Sequence, residues 1–472
     1  MQKPSLLKYQ KETERADLEH QTIAAIATAN SAAGIGIVRI SGPDAKVVAD
    51  RVFRAVSKTS VSDMPGYRAT FGRCYDSDGD IDDAVCLVFN APKSYTGEDV
   101  VEISVHGGVY ILRRLLRAVL SNGARPAAAG EFTKRAFLNG KLSLTQAEAV
   151  MDLIASTGIQ SQRAALAVAD GRLSKMTDEI SSRLISIAGH ISAWVDYPEE
   201  DIEELGLGEL KSDLIDIRDQ INVLIKGFDT GRILREGVDT AIIGSPNVGK
   251  SSLMNVLSGY QKSIVTEIAG TTRDIIEDTV TLGDVTLRLS DTAGIRQSDD
   301  PVEAVGVKRA KDRLESAGLI LAVFDGSREL SQTDLEIINV IKNRPCIAVI
   351  NKIDLDIKIC KEYIEENIKH IVYISAELGK GIDTLEAEIR AVLEINNLDE
   401  KALLLTTERQ LSCALSSLSD INKAIEALEM GYTLDATEVM IEGAIESLLE
   451  LSGKNATAAV VDEVFSHFCV GK

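Results

Sequence analysis

The sequence of 472 residues has none of the features typical of secreted, membrane-spanning or zinc-binding proteins. It contains no apolar run of the roughly 18 residues that a membrane-spanning helix needs. The first twenty residues include neither a secretory apolar stretch nor the acid-poor composition of a transit peptide. The six cysteines form no CxxC pair and no zinc-like spacing, which favours reduced thiols. We therefore expect a cytoplasmic protein that makes no membrane contact.

Positive charge is also scarce, because 51 Lys and Arg residues are set against 72 Asp and Glu residues, for a formal net charge of −21. Such an acidic excess repels nucleic acid, so any RNA contact would be local or shared with a partner. With 45% hydrophobic and 26% charged residues, the composition is that of a globular protein. At roughly 150 residues per domain, the length favours about three domains.

Short β-branched runs alternate with amphipathic stretches after Gly237, which is typical of a parallel sheet with crossover helices. Each run ends at a polar or glycine-containing loop, where ligands bind in open α/β folds. The runs predict strands at 240–243, 285–289, 319–324, 346–350 and 371–374.

Helical periodicity flanks this block on both sides. Apolar residues recur at steps of three and four over 173–194 and 411–428, and Thr145-Gln-Ala-Glu148 has the spacing of a capping box that opens a helix. We predict one helical domain made from two segments with the α/β domain inserted between them. Two separate helical bundles are the alternative.

The residues before this helical region indicate a mixed α+β domain. Strands are predicted at 36–40, 85–89 and 100–105. The predicted domains are an extension at 1–20 that we expect to be disordered, an α+β domain at 21–138, helical segments at 139–235 and 391–472, and an α/β P-loop domain at 236–390.

The strongest chemical motif is Gly244-Ser-Pro-Asn-Val-Gly249-Lys250-Ser251, which matches GxxxxGK[ST] between an apolar strand and an amphipathic helix. In this motif backbone N–H groups at the helix start face phosphates, Lys250 supplies a positive charge, and the Ser251 hydroxyl can bind Mg²⁺. The GTP-binding residues predicted in this segment are Asn247, Val248, Gly249, Lys250, Ser251 and Ser252.

Three further motifs follow later strands in the order found in GTPases. The carboxylate of Asp291-Thr-Ala-Gly294 would serve the outer shell of a metal, and its glycine amide would lie near the γ-phosphate. The Asp354 carboxylate of Asn351-Lys352-Ile-Asp354 can accept the ring N–H and the amine of guanine, whereas adenine would leave it unpaired. The predicted GTP-binding residues here are Asp291, Thr292, Ala293, Gly294, Asn351, Lys352, Asp354, Ser375 and Ala376.

Residues for Mg²⁺ binding and for hydrolysis are expected between and after these motifs. Thr272, in a switch loop, is the predicted second hydroxyl ligand of Mg²⁺. Ile295 follows the DTAG glycine at the place where Ras-type GTPases have a water-orienting Gln, so another group must position the water. Glu303 is the candidate, its alternative role being a solvated helix-cap acid. Arg273 and Arg296 are both possible arginine fingers.

Several longer segments, taken together, closely resemble the MnmE (TrmE) family of tRNA-modification GTPases from about Thr22 to the last residue. The GTPase motifs are shared with many GTPases, but the amino-terminal blocks and the terminal FCVGK are specific to this family. The segments are IGIVRISG, SYTGEDVVEISVHGG, GEFTKRAFLNGKLSLTQAEAVMDLI, YPEEDIEE, LREG before GSPNVGKSSLMN, AGTTRD, DTAGIR and FCVGK.

The resemblance implies a folate-binding amino-terminal domain that also mediates homodimerisation, and G domains that dimerise across their nucleotide faces when K⁺ is bound. It also implies that Glu303 is the catalytic acid. K⁺ would occupy the place of an arginine finger and offset charge in the transition state. The residues matching the family's K⁺ ligands are Asn247, Thr266, Ile268 and Thr271, and Thr266 and Thr271 count with the GTP-binding residues.

A site for a one-carbon tetrahydrofolate, in the 5-formyl or 5,10-methylene form, is likewise implied by the resemblance. Cys469 would lie near this site and could take part in one-carbon chemistry, although a buried structural cysteine is the alternative. The residues matching the family's folate site are Arg39, Glu102, Lys141 and Lys472.

The implied function is that of a K⁺-activated GTPase serving tRNA modification. An FAD-dependent partner of the MnmG type would form a heterotetramer or larger complex with it and add an aminomethyl or carboxymethylaminomethyl group to C5 of the wobble uridine. A ribosome-assembly GTPase is the main alternative, although no basic RNA-binding appendage is evident. A regulatory switch is a third reading, which leaves FCVGK and the folate-type residues unexplained.

Overall fold

The computed structural model describes residues 21–196, 206–259, 278–283, 285–289, 317–393, 395 and 403–471. The strands are β1 Ile23–Ile26, β2 Ala33–Ser41, β3 Phe53–Ala55, β4 Arg68–Asp76, β5 Gly79–Phe89, β6 Val100–Gly107, β7 Arg125–Pro126, β8 Val238–Ile243, β9 Asp278–Leu282, β10 Val285–Leu289, β11 Leu319–Asp325, β12 Cys346–Asn351 and β13 Ile371–Tyr373. The helices are α1 Ala45–Asp50, α2 Val109–Ser121, α3 Glu131–Leu138, α4 Leu144–Ala155, α5 Ile159–Ala169, α6 Arg172–Asp196, α7 Leu207–Lys226, α8 Phe228–Glu236, α9 Lys250–Gly259, α10 Gln332–Ile341, α11 Lys361–Asn367, α12 Ile382–Val392, α13 Glu408–Glu429, α14 Leu434–Ser452 and α15 Ala458–Ser466.

The described chain divides into two compact units. The first contains the described residues up to Met151 together with those from Leu449 onward, and the second contains those from Asp152 to Leu448. The carboxy-terminal residues therefore group with the amino-terminal domain and not with the helices that precede them.

The first unit is built on a seven-stranded sheet in the order β3-β4-β5-β6-β2-β1-β7. The pairs β2–β6, β5–β6 and β4–β5 are antiparallel, whereas β1 and β7 are parallel. Helix α2 covers one face, where Leu112 and Leu115 are fully buried among the strand residues. The predicted mixed α+β domain is confirmed, and the three predicted strands lie within β2, β5 and β6.

Helix α4 corrects the capping-box prediction made from Thr145 and Glu148. The helix starts at Leu144, and Ser143 is the capping residue, because its Oγ accepts the Gln146 N–H at 3.2 Å and Gln146 Oε1 accepts the Ser143 N–H at 3.0 Å. Thr145 lies inside the helix and is fully buried. The sequence pattern Ser-x-x-Gln, two residues before Thr145-x-x-Glu, satisfies the same capping rule, and burial of Thr145 decides between them.

The second unit contains a six-stranded sheet in the order β13-β12-β11-β8-β10-β9. Strands β8, β10, β11, β12 and β13 are parallel, and they confirm the five strands predicted from sequence. Strand β9 was not predicted, and it pairs antiparallel with β10 at the sheet edge. β11 and β12 are buried along their whole length, which explains their continuous apolar sequences.

Helices on both sides of the inserted α/β domain pack together. Helix α7 precedes the domain and α13 follows it, and the two are neighbours through apolar stripes that include Leu214, Ile217 and Ile421. The prediction of one helical domain made from two segments is therefore confirmed. None of the helices in the described ranges combines the length and apolar content needed to cross a bilayer.

Candidate functional site

The GxxxxGKS loop lies at the point where the strand order reverses, because the chain moves from β8 to β10 on one side and to β11 on the other. The loop leaves β8 and enters α9 directly. Gly244 and Gly249 have φ values of +155° and +99°, and a Cβ at Gly249 would lie 2.2 Å from Asn351 Nδ2. Asn247 has a φ of +63°. Glycine is required at Gly249 both for the backbone conformation and for this close approach.

Lys250 is held over the loop by two backbone carbonyls. Its Nζ donates to Gly244 O at 2.7 Å and to Ser245 O at 2.8 Å. Burial lowers the pKa of Lys250, because removal from water disfavours the ammonium form. An anionic phosphate beside this ammonium would favour the charged form in turn.

Asn351 connects the loop to two other motifs. Its Nδ2 donates to Val248 O at 2.9 Å, and its Oδ1 accepts the Ala376 N–H at 2.9 Å. Asn351 is 3% exposed, so both hydrogen bonds are shielded from water. One side chain at the end of β12 thus joins the phosphate loop after β8 to the loop after β13.

Lys352, the next residue, reaches the same loop from the other side. Its Nζ donates to Asn247 O at 2.9 Å and pairs with Asp325 Oδ2 at 2.6 Å. Burial by itself would raise the pKa of Asp325, but hydrogen bonds from Lys352 and Ser327 outweigh burial and hold it below its usual value. The Asp325 carboxyl is therefore ionised at neutral pH.

The predicted guanine-recognition residues lie at the same carboxyl edge of the sheet. Asp354 is exposed in the turn after β12. Ser375 is fully buried after β13, where its Oγ accepts the Leu378 N–H and its backbone pairs with Lys380. Because Asp354 is exposed, its carboxylate is accessible to a base. The loop that contains Ala376 is fixed by the hydrogen bond from the Ala376 N–H to Asn351.

Oxygen donors suitable for cations lie at the start of α9. Ser251 and Ser252 are exposed in its first turn, and Asn247 is exposed in the loop. Hydroxyl and amide oxygens are hard donors that suit Mg²⁺ and K⁺. In the part of the chain that the structure describes, no group of three or more His, Cys, Asp or Glu residues could hold a metal.

Some of the predicted site residues lie outside the described ranges. They belong to the switch loop, the DTAG motif, the proposed catalytic acid and the last residue of the chain. These residues are Thr266, Ile268, Thr271, Thr272, Asp291, Thr292, Ala293, Gly294, Glu303 and Lys472.

In the first unit, Arg39 and Glu102 are directly opposite each other on β2 and β6. Arg39 Nε donates to Glu102 Oε1 at 2.8 Å, and an Arg39 guanidinium nitrogen donates to Gly471 O at 3.3 Å. The Arg39 and Glu102 side chains are each 19% exposed, which leaves part of the pair accessible to a ligand. The structure therefore brings together two predicted folate-site residues and the carboxy-terminal segment.

Lys141 and Cys469 have other contacts. Lys141 is exposed, and its Nζ donates to Pro92 O at 3.1 Å. Cys469 is exposed, and its backbone carbonyl accepts the Gly130 N–H at 3.3 Å. The alternative of a buried structural cysteine at this position is wrong, because pairing of the terminal segment with residues 129–130 leaves the thiol at the surface.

Sequence reasoning missed two aromatic residues beside Arg39 and one carboxylate beside the phosphate loop. The rings of Tyr95 and Phe132 lie 5.8 and 5.6 Å from the Arg39 guanidinium carbon. Both lie in segments used to recognise the family, which was the available clue. For Asp325 the clue was simpler, because it is a charged residue that ends a continuous apolar strand.

A cavity of about 540 Å³ in the first unit lies between α3 and α15. Its wall includes Arg125, Lys134, Arg135 and Phe465, but none of Arg39, Glu102, Lys141 or Cys469. The predicted folate residues Arg39, Glu102 and Lys141, which lie in the described ranges, therefore do not line this cavity.

Comparisons with known proteins agree with the fold and the motifs. Two family models match, one described as the MnmE helical domain over residues 144–469 and one as the GTP-binding protein TrmE N-terminus over residues 22–141. The tRNA modification GTPase MnmE of Clostridioides difficile (strain 630) is 40% identical over 456 residues, which cover 96% of this chain and 99% of the relative. The same name, identity and shares apply to the relative from Alkaliphilus metalliredigens (strain QYMF). The chain thus belongs to the MnmE family of tRNA modification GTPases.

Proposed function

We propose that this protein is a K⁺-activated GTP hydrolase that works with an FAD-dependent, MnmG-type partner in the cytoplasm. The complex adds an aminomethyl or carboxymethylaminomethyl group to C5 of the wobble uridine of tRNA, with a one-carbon tetrahydrofolate as carbon donor. The observation that carries the GTPase part is the joining of the phosphate loop to the NKID and Ser-Ala motifs through the buried Asn351.

Hydrolysis requires attack of water on the γ-phosphorus and cleavage of its bond to the bridging oxygen, which gives GDP and phosphate. The loop amides and Lys250 bind the phosphates and favour the developing negative charge. Glu303 positions the attacking water, a role that Ile295 cannot supply. Asp354 selects guanine, because a purine without the matching donors leaves its carboxylate unpaired.

The donor set of the phosphate loop fits the two cations. The exposed Ser251 hydroxyl would hold Mg²⁺ together with Thr272, and the Asn247 side chain would hold K⁺ with groups of Thr266, Ile268 and Thr271. When bound, the cations offset negative charge on the β- and γ-phosphates. The hydrogen bond from the Lys352 ammonium to the Asn247 carbonyl supports this assignment, because it fixes the backbone that carries the Asn247 side chain.

The Arg39 pair fits the chemistry of a folate. A carboxylate such as Glu102 accepts pterin N–H donors, and Arg39, Lys141 and Lys472 suit glutamyl carboxylates. The hydrogen bond from Arg39 to Gly471 O supports the assignment of the neighbouring Lys472 to the same site. Cys469 lies two residues before Gly471, where its exposed thiol can take part in one-carbon chemistry.

The protein acts as a homodimer through its amino-terminal domains, and GTP-dependent pairing of the G domains couples the nucleotide state to modification. A heterotetramer or larger complex with the partner fits the net charge of −21, since most tRNA contact would then belong to the partner.

GTP turnover by the purified protein in K⁺ and in Na⁺ at matched ionic strength tests the GTPase mechanism. We expect K⁺ to accelerate turnover strongly and Glu303→Ala to abolish it while GTP binding persists. Equal rates in the two salts would remove the special role of K⁺, and turnover by Glu303→Ala would remove Glu303 as the catalyst.

A second experiment tests the tRNA reaction. Isotope-labelled one-carbon folate is supplied to the protein, its FAD-dependent partner and a tRNA with a wobble uridine. We expect label at C5 of that uridine only when both proteins and GTP are present. Absence of label with an active partner would count against the folate as carbon donor.

A further inference from the structure

The segment from the last residue of β11 to the first turn of α10, residues 325–334, belongs to none of the four GTPase motifs, yet it contains two buried carboxylates. Asp325 is 8% exposed and Asp334 is 1% exposed. Carboxylates are almost never buried unless they are paired, because transfer of the charge out of water is costly. The partners of these two residues therefore indicate what the segment does.

Asp325 reaches the phosphate loop through Lys352. One carboxylate oxygen pairs with Lys352 Nζ at 2.6 Å, and the same ammonium donates to Asn247 O. The other oxygen accepts the N–H and the hydroxyl of Ser327 at 2.9 and 2.6 Å. Asp325 thus fixes Lys352 against the one residue of the loop that has a left-handed backbone without being glycine.

Asp334 reaches the loop directly. Its Oδ1 accepts the Ser245 hydroxyl at 2.6 Å, and both side chains are buried. Its Oδ2 accepts the Ser331 N–H at 2.9 Å and pairs with Arg328 at 2.8 Å. Burial would raise the pKa of Asp334, but the hydrogen bonds from Ser245 and Ser331 outweigh it, so the carboxyl has a lowered pKa and accepts these bonds as an anion.

We propose that the 325–334 segment holds the phosphate loop in its binding conformation, with Asp334 acting on Ser245 and Asp325 acting through Lys352 on Asn247. Both are positioning residues, and neither is assigned contact with nucleotide. A loop already held in the bound shape loses less conformational freedom when phosphates bind, so these contacts raise nucleotide affinity. The inference rests on the proposed GTPase function and adds two residues to it.

The test uses the full-length protein and a fluorescent GDP analogue whose dissociation is followed by stopped flow. We expect Asp334→Asn and Asp325→Asn each to accelerate dissociation about tenfold, because each weakens a buried charge-assisted hydrogen bond. Glu336→Gln on α10 and Asp356→Asn after β12 are matched controls, since both side chains are exposed. The proposal would be overturned if Asp334→Asn and Asp325→Asn both release the GDP analogue at rates within twofold of the wild type.

Two further readouts separate positioning from a general loss of folding. The KM for GTP should rise more than kcat falls, whereas partial unfolding lowers the apparent kcat and leaves KM unchanged. Ser245→Ala and Asp334→Asn should also be non-additive in the double variant, because both remove the same contact. Additive effects, or a lowered melting temperature with unchanged dissociation, would overturn the assignment.

The wild-type protein distinguishes failure of this inference from failure of the proposed function. If the wild type binds and hydrolyses GTP but the variants release GDP at its rate, only the role of the 325–334 segment is wrong. If the wild type shows no preference for guanine nucleotides, the proposed function itself fails.

Discussion

The phosphate loop of the second unit and the Arg39 site of the first unit are assembled in different ways. The phosphate loop and Ala376 follow parallel strands of one sheet and Asn351 ends another, and the carboxyl ends of such strands meet at one edge. The Arg39 site joins β2, β6 and the carboxy-terminal segment, with Arg39 and Gly471 separated by 432 positions. Parallel topology gathers short motifs by a general rule, whereas the Arg39 site depends on a particular register and on the return of the chain end.

The two sites also differ in the burial of their ion pairs. In the Asp325–Lys352 pair the carboxylate side chain is 9% exposed and the lysine side chain is 31% exposed, whereas the Arg39 and Glu102 side chains are each 19% exposed. The Asp325 carboxylate is therefore shielded from solvent and serves to hold the structure, whereas both members of the Arg39 pair remain partly accessible to a ligand. This difference sets the size of the effects expected from substitution.

The guanine-selective carboxylate should give the greatest change. In Asp354→Asn we expect the preference for GTP over xanthosine triphosphate to fall by about 1,000-fold, because a site built to pair with a donor rejects a base lacking it. Competition binding with the two nucleotides measures this ratio. Asp356→Asn, also exposed, is the control, and an unchanged ratio in Asp354→Asn would remove the assigned role.

Gly249→Ala should come next. We expect GTP affinity to fall by about 100-fold, because the backbone strain costs about 1–3 kcal/mol and the new Cβ would displace Asn351. Isothermal titration calorimetry gives the affinity, with circular dichroism to verify folding. Gly259→Ala is the matched control, since its Cβ would meet no atom within 4 Å. Wild-type affinity in Gly249→Ala would contradict the close approach of Gly249 to Asn351.

Arg39→Ala should weaken the binding of a one-carbon tetrahydrofolate by about tenfold, a smaller effect because the lost charge-assisted contacts are partly exposed. Equilibrium dialysis with labelled folate measures it. Arg113→Ala on α2, an exposed arginine of the same unit, is the control. Equal folate affinity in the Arg39 variant and the wild type would dismiss Arg39 from the site.

The pair formed by the exposed His106 and the partly buried Asp82 should give the smallest effect. The hydrogen bond and charge of Asp82 raise the pKa of His106 above about 6.5, so any stabilisation by the pair is complete below that pH and disappears as pH rises through the folded-state pKa. Titration of the imidazole by NMR should show this raised pKa, and Asp82→Asn should return it towards about 6.5. Asp63→Asn, which changes an exposed carboxylate elsewhere, is the control. If the His106 pKa is the same in Asp82→Asn as in the wild type, Asp82 is not the cause of the raised pKa.

Much of the fold could be predicted because local patterns agreed with tertiary structure. The continuous apolar runs of β11 and β12 are fully buried, as a parallel sheet covered on both faces requires. Strand β9 could not be predicted in this way, since it lies at the sheet edge and pairs antiparallel with β10. The capping residue of α4 was misassigned because two capping patterns overlap there, and only the hydrogen bonds between Ser143 and Gln146 and the burial of Thr145 separate them.

The candidate sites show the same division. The phosphate loop and NKID motif were recognised from their spacing, because phosphate and guanine binding require those residue types in that order. The roles of Asp325 and Asp334 were not recognised, because an acidic residue at the end of an apolar strand or at a helix start is common. Only their tertiary contacts with Lys352 and Ser245 distinguish these two residues from other such acids.

The sequence by itself identified the family through the segments that resemble it, and it predicted the inserted α/β domain and the nucleotide motifs from local periodicity and spacing. It left open whether the flanking helices form one domain or two bundles, which the packing of α7 against α13 decided. Only the tertiary structure decided that Arg39 meets both Glu102 and Gly471, that Cys469 is exposed, and which buried carboxylates hold the phosphate loop. Such contacts join residues distant in the chain, and their existence depends on strand register and packing, which no local pattern encodes.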